Sequence, residues 1–208
     1  MSLAAIQKKA KAKPSIVIIY GPSGLGKTTL AVGSKNPIVL QTEEGLGILT
    51  NNRDIPHFPL SKDYDTFYGY LKALVDADEL EYNTLVIDSL DWLEPLIHAK
   101  TCETHKQPSI ESFGYGRGYN EALKYWREVL DLVNRLRNEK KMRIVMIAHN
   151  QIKAFHDPST EAYDRHELKM HKAASALVLE ASDMCLFLNY KKGTVKVQGS
   201  KGLTSKTV

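Results

Sequence analysis

Gly21-Pro22-Ser23-Gly24-Leu25-Gly26-Lys27-Thr28 matches G-x-x-x-x-G-K-[ST] in full, and it follows an apolar run, Ile16 to Tyr20, that reads as a buried strand. A loop of this kind turns successive backbone N–H groups inward. Gly21, Gly24 and Gly26 allow the φ angles and the close approach that a side chain would block. The chemistry this suits is a triphosphate. Pro22, Ser23, Leu25 and Thr29 complete the expected cradle, Lys27 is placed to reach the β- and γ-phosphates as a point charge, and Thr28 offers its hydroxyl to a Mg²⁺ that keeps several waters. Thr29-Leu30-Ala31-Val32 then starts a helix whose dipole favours an anion at the loop.

Working outward, short β-rich runs alternate with helical patterns. Ile16–Tyr20, Ile38–Leu40, Thr84–Ile87, Ile144–Ala148, Met184–Leu188 and Thr194–Val197 read as strands of a mainly parallel sheet in an α/β fold. Phe67, Tyr70, Leu71, Leu74 and Val75 recur at helical spacing, as do Ala122, Trp126, Val129, Val133 and Leu136, so both stripes are expected to face the core. His105 to Gly118 and Ile152 to Lys172 lack such periodicity and read as irregular binding loops or disorder. The 208 residues suit one domain, 15–208, behind a basic lead-in, 1–14, that carries Lys8, Lys9, Lys11 and Lys13. A net charge of +4 is below that of a protein that coats DNA. With 2 cysteines, no signal peptide and no run long enough to span a bilayer, the expectation is a cytoplasmic protein with no membrane role.

A phosphate loop needs a carboxylate on a neighbouring strand to hold the metal's water shell. Asp88, at the end of Thr84-Leu85-Val86-Ile87, supplies it, with Thr28 as the second metal-facing group; a helix N-cap is its alternative role. Hydrolysis requires a group to orient or deprotonate water. Glu43, directly after the strand Ile38–Leu40, sits where ligands bind in open parallel sheets, with Glu44 next in line. His149, at the end of Ile144–Ala148, is placed to sense the γ-phosphate. Glu43, Lys27 and His149 are thus the expected catalytic set.

Taken in order, GPSGLGKTTL, the acidic turn Gln41-Thr42-Glu43-Glu44-Gly45, TLVIDSL and VMIAHNQI resemble the ATP core of RecA-type recombinases. They are more similar still to the small phage-encoded RecA-like proteins of single-strand annealing. The likeness runs from about Ser15 to Leu188 and includes Gly114-Tyr115-Gly116-Arg117-Gly118-Tyr119. It implies a RecA-like P-loop NTPase with ATP and Mg²⁺ as cofactors, phosphate and metal binding by Lys27 and Thr28, metal binding by Asp88 and water activation by Glu43. It further implies single-stranded DNA at the loop after His149, a homo-oligomer in which a neighbour lends cations to the ATP, a single-strand-binding protein as a candidate partner, and the cytoplasm of a bacterial host. The chain departs from full RecA proteins in lacking a recognisable oligomerisation extension before Val208, which counts against strand exchange.

Read without that resemblance, Lys153, Arg165, Lys169 and Lys172 with Phe155 and Tyr163 are ingredients of a single-strand contact, diluted by Asp157, Glu161, Asp164 and Glu167 around Pro158. A mobile surface loop fits the same residues. Gly114 to Tyr119 interleaves aromatic and basic side chains, although Tyr115 and Tyr119 could equally pack beside the following helix. Lys196 and Lys201 are candidate trans-acting cations. His98, Cys102 and His105, at i, i+4 and i+7, could present three zinc ligands, with no fourth nearby. Two other functions share the P-loop: a kinase, which should carry a lid with several arginines where Arg165 stands alone, and a nucleotide-gated loader with slow turnover. ATP over GTP rests on the resemblance and on the lack of an N-K-x-D motif.

Overall fold

Strand runs that are apolar at successive positions, rather than alternating, must be covered on both faces. The computed structural model describes residues 12–48, 54–156 and 161–191 and the backbone of 194–199 and 202–207; it covers Ile16–Ile19, Ile38–Leu40, Thr84–Ile87 and Ile144–Ala148 in that way, whereas Met184–Phe187 is exposed. The strands are β1 (Ile16–Gly21), β2 (Pro37–Gln41), β3 (Thr84–Asp88), β4 (Arg143–Phe155), β5 (Tyr163–Leu168) and β6 (Met184–Phe187). The order β2-β3-β4-β1-β6 is parallel throughout, and β5 runs antiparallel to the far end of β4.

The helices are α1 (Lys27–Val32), α2 (Tyr64–Asp76), α3 (Leu90–His105), α4 (Arg117–Asn138) and α5 (Lys172–Ala181). Side chains along β1 point alternately to the two faces. Ile16 and Ile18 join the core formed with α2 to α5, while Val17 and Ile19 pack with Ala31 and Val32 of α1 and with Leu46 and Ile55. The stripes on α2 and α4 face inward as expected, with Phe67, Leu71, Trp126, Val129, Val133 and Leu136 buried and Tyr70 at the rim. Asp63 caps α2 by accepting from Thr66 N at 2.7 Å. At the entry to β1, Asp183 accepts from Ile16 N at 2.8 Å and takes Arg137 on both oxygens at 2.9 and 2.8 Å, tying the first strand to the turn before β6 and to the end of α4.

Three expectations change. Residues 152–172 are not an irregular loop: β4 runs on past the sheet and returns as β5, with Ile152 opposite His166 and Phe155 opposite Tyr163. Asp157 and Pro158, between β4 and β5 in sequence, lie outside the described residues. Thr194–Val197 does not join the parallel sheet; it lies in β7 (Thr194–Gly199), paired antiparallel with β8 (Gly202–Thr207). His105 to Gly118 is largely ordered too, since α3 reaches His105, Ile110–Phe113 forms a 3-10 turn and Gly118 is already in α4. A Cβ on Gly118 would stand 2.3 Å from Ile110 O, so the missing side chain is what lets the turn pack on the helix. Lys8, Lys9 and Lys11 lie outside the described residues, and Lys13 is exposed.

Phe67, on α2, is fully buried in the core, so Phe67→Ala is expected to lower unfolding stability by about 3–5 kcal/mol in a denaturant titration. A loss below about 1 kcal/mol would contradict the packing of α2.

Candidate functional site

The C-terminal ends of β1, β2 and β3 and the end of the parallel part of β4 open on one edge of the sheet, and each delivers a polar group there. After β1 the chain turns through Gly21 to Gly26. Gly21 has φ +153°, and a Cβ on it would stand 2.2 Å from Leu188 O, so the approach of the chain leaving β6 requires glycine. Gly26 holds φ +80° as the residue before α1, in the left-handed region that a Cβ disfavours. Lys27 follows, 6% exposed, and its ammonium donates to Gly21 O at 3.0 Å and Pro22 O at 2.9 Å. Burial pushes this ammonium below the ordinary lysine value, opposed by Glu43, Asp88 and Asp91.

Thr28 Oγ1 donates to Asp88 Oδ2 at 2.8 Å, joining the loop to the end of β3. The other Asp88 oxygen, Oδ1, is buried and has no hydrogen-bond partner among the described residues. Burial pushes the Asp88 carboxyl up, against the Thr28 hydroxyl and the Glu43, His149 and Lys27 side chains. A helix N-cap is not its role, because the residue before α3 is Ser89. The Asp88–Ser89 peptide is cis. Glu43 comes to the same place from β2, where burial and the neighbouring Asp88 push its carboxyl up. Thr42 sets that position: its N–H donates to Asp88 O at 2.8 Å, its hydroxyl donates to Ser89 O at 2.7 Å, and the same oxygen accepts from Ser89 N at 2.8 Å. Glu44 is exposed.

His149 completes the group, and it does so with a residue that sequence reasoning missed. Asp91, in the first turn of α3, accepts from His149 N at 2.9 Å and pairs with His149 Nδ1 at 3.0 Å. The Asp91 hydrogen bond raises the imidazole above the ordinary histidine value, with burial opposing. Asp91 follows Asp88-Ser89 on a helix start, where acidic residues are common for dipole reasons alone, so the sequence held no separate signal for it. One turn on, Glu94 accepts from His171 N with both oxygens, at 2.9 and 3.0 Å, and burial pushes its carboxyl up to about 7. The α3 carboxylates thereby hold β4 at His149 and the start of α5, just past β5, at His171.

The arm and the segment from it into α5 carry the residues expected to meet DNA. Lys153, Lys169 and Lys172 are exposed, Phe155 and Tyr163 have ring centres 5.4 Å apart, and Arg165 lies 4.4 Å over the Phe155 ring and pairs with Glu167. A cleft of about 660 Å³ opens between this arm, α5 and β6, lined by Lys153, Phe155, Arg165 and Lys172 among others. Tyr115 is fully exposed, whereas Tyr119 stacks on His171 with centroids 4.0 Å apart. His98 meets the edge of Tyr119, while His105 packs on Phe113 and pairs with Glu121 at 3.7 Å. Among the described residues no three His, Cys, Asp or Glu side chains converge on a metal position, so the zinc face is not formed. Lys201 and the Lys196 side chain lie outside the described residues.

A family model described as an AAA domain matches residues 13–207, and the chain belongs to that family of P-loop ATPase domains. Membership implies nucleotide binding. The SPbeta prophage-derived uncharacterized protein YorG of Bacillus subtilis (strain 168) is 24% identical over 178 residues, which are 84% of this chain and 50% of that protein. The chain therefore spans about half the length of the curated relative it matches. Among the described residues no helix is long and apolar enough to cross a membrane.

Thr42→Val removes the hydroxyl that satisfies the fully buried Ser89 N–H, at an expected cost of about 1–3 kcal/mol. Thermal unfolding checks this, and an unchanged midpoint would mean that the tie between β2 and β3 does not fix the site.

Proposed function

We propose that this AAA domain binds Mg²⁺–ATP in the Gly21–Thr28 loop and hydrolyses it, coupled to single-stranded DNA binding in phage-type recombination or annealing. The observation that carries the nucleotide reading is Asp88, with one oxygen on the Thr28 hydroxyl at 2.8 Å and the other buried and unpartnered. An orphaned anionic oxygen is costly unless a cation faces it, and oxygen donors of this kind suit Mg²⁺ with its water shell. The glycine conformations and the buried Lys27 ammonium beside it fit a polyphosphate.

Bound Mg²⁺–ATP supplies the electrophilic phosphorus and neutralises charge on the leaving oxygens. The protein's part follows from its own groups. Thr28 and Asp88 hold the metal's oxygen shell. The Lys27 ammonium leaves the Gly21 and Pro22 carbonyls for the phosphates. A Glu43 carboxylate oxygen orients the attacking water and accepts its proton, and His149 offers a ring N–H to the γ-phosphate.

For the DNA part, support comes from the arm that continues β4 beyond His149, with lysines for phosphates and the Phe155 and Tyr163 rings for bases. The prophage origin named for the relative supports a phage setting, and with it a bacterial host's cytoplasm. In that setting the protein works as a homo-oligomer, with a single-strand-binding protein as its neighbour on the DNA.

Phosphate release, measured with and without a single-stranded oligonucleotide across a salt series, tests the reading. Glu43→Gln is expected to retain nucleotide but slow release by about 10²–10⁴-fold, whereas Lys27→Ala loses nucleotide binding. Equal loss of binding in both would remove Glu43 from its role. Lys153→Ala is expected to weaken oligonucleotide binding and to flatten its log–log salt dependence by about 0.7. A release rate and a salt response indifferent to DNA would dismiss the DNA part.

A further inference from the structure

Asp91 spends both carboxylate oxygens on one residue. Oδ1 takes the backbone N–H of His149 at 2.9 Å and Oδ2 takes its Nδ1 at 3.0 Å, while the Asp91 side chain is 3% exposed. A carboxylate that far from water has to be paired, and here the pairing fixes both the backbone and the ring of a single neighbour. With Nδ1 committed to Asp91, the opposite ring nitrogen, Nε2, has no hydrogen-bond partner among the described residues. Histidine rings have two distinct nitrogens, and the partner of one decides what the other can do.

We infer that Asp91 is the positioning residue of the site: it holds the His149 imidazole by Nδ1–H, so that Nε2–H is directed as a cationic donor to the γ-phosphate of bound ATP. This rests on the proposed ATPase reading and deepens it. With both carboxylate oxygens on His149, Asp91 acts through that residue. The groups that face the imidazole are Asp91 from α3, Glu43 from the turn after β2, Asp88 from β3 and Lys27 from α1, three carboxylates against one ammonium. Such surroundings favour the imidazolium. Asp91 itself is pushed up by burial, but the His149 hydrogen bonds outweigh that and hold it below the ordinary carboxylate value. An imidazolium supplied from within the chain does what an inserted arginine does in other phosphoryl-transfer sites.

The sign of the pH effect follows. A raised histidine value means that the cation is present below the ordinary histidine range and is lost as pH rises through the raised value. Asp91→Asn keeps the shape and removes the charge, so it lowers the pH at which the cation is lost.

The test pairs two measurements on the full chain. The first is an NMR titration of the histidine rings without nucleotide, with His149→Gln identifying the His149 signal. Wild type is expected to titrate above free histidine and to keep its proton on Nδ1 when neutral, and Asp91→Asn to titrate lower by about one pH unit. The second is kcat and KM for ATP across pH: Asp91→Asn is expected to lower kcat about tenfold with KM within about twofold, and to move the alkaline limb down with the NMR value. The double variant Asp91→Asn/His149→Gln is expected to be no slower than His149→Gln, because the two residues act as one unit. If wild type turns over ATP but Asp91→Asn leaves the His149 titration and the alkaline limb unmoved, the inference fails and the ATPase reading stands. If wild type does not turn over ATP, the reading itself fails.

Discussion

Three carboxyl groups, Glu43, Asp88 and Asp91, are gathered at one edge of the sheet beside the buried ammonium of Lys27, and the rest of the site answers that excess of negative charge. Groups of like sign held out of water repel strongly, because the effective dielectric between them is low. The chain relieves part of the strain locally. Thr28 covers one oxygen of Asp88, and His149 takes both oxygens of Asp91. What is left over is Asp88 Oδ1, buried and without a hydrogen-bond partner among the described residues. A divalent cation carrying a polyanion fits that remainder in both charge and donor chemistry, which is why the site is read as one for a metal-chelated nucleotide.

The fold produces this crowding by topology. Parallel strands end on the same side, so β1, β2, β3 and β4 each release one polar segment into a shared crevice. Backbone ties hold the segments in place, with Thr42 bonded twice to Ser89 and Asp88 O taking the Thr42 N–H. Helix α3 extends the arrangement outward. Asp91 grips the end of β4 and Glu94 grips His171 beyond β5, so the arm that carries Phe155 and Tyr163 grows directly out of the nucleotide end. The strand that brings His149 to the site thus continues directly into the surface proposed for DNA.

The parts legible in the sequence were those where one physical requirement dictates residue type. The glycines of the loop, the apolar parallel strands and the inward stripes of α2 and α4 are of this kind, and so are carboxylates at strand ends. The β4–β5 arm was not legible because Tyr163-Asp-Arg-His-Glu-Leu168 is largely exposed on both faces, which removes the alternation that marks a half-buried strand. The ordered turn before α4 hid behind glycine: Gly118 looks like a breaker in sequence and serves as a packing notch in space. Asp91 was invisible for a different reason, since its partner lies 58 positions away and nothing local marks the pairing. The strand β7 is legible as a strand, but its partner is not, because a separate hairpin and a sheet strand can share one pattern.

Calorimetric titration of ATP into the full chain, once with Mg²⁺ and once in excess chelator, bears on the central claim most directly. The charge arrangement predicts saturable binding at one site per chain, markedly weakened when the metal is withheld. No heat from ATP with Mg²⁺, or the same affinity with and without the metal, would contradict it.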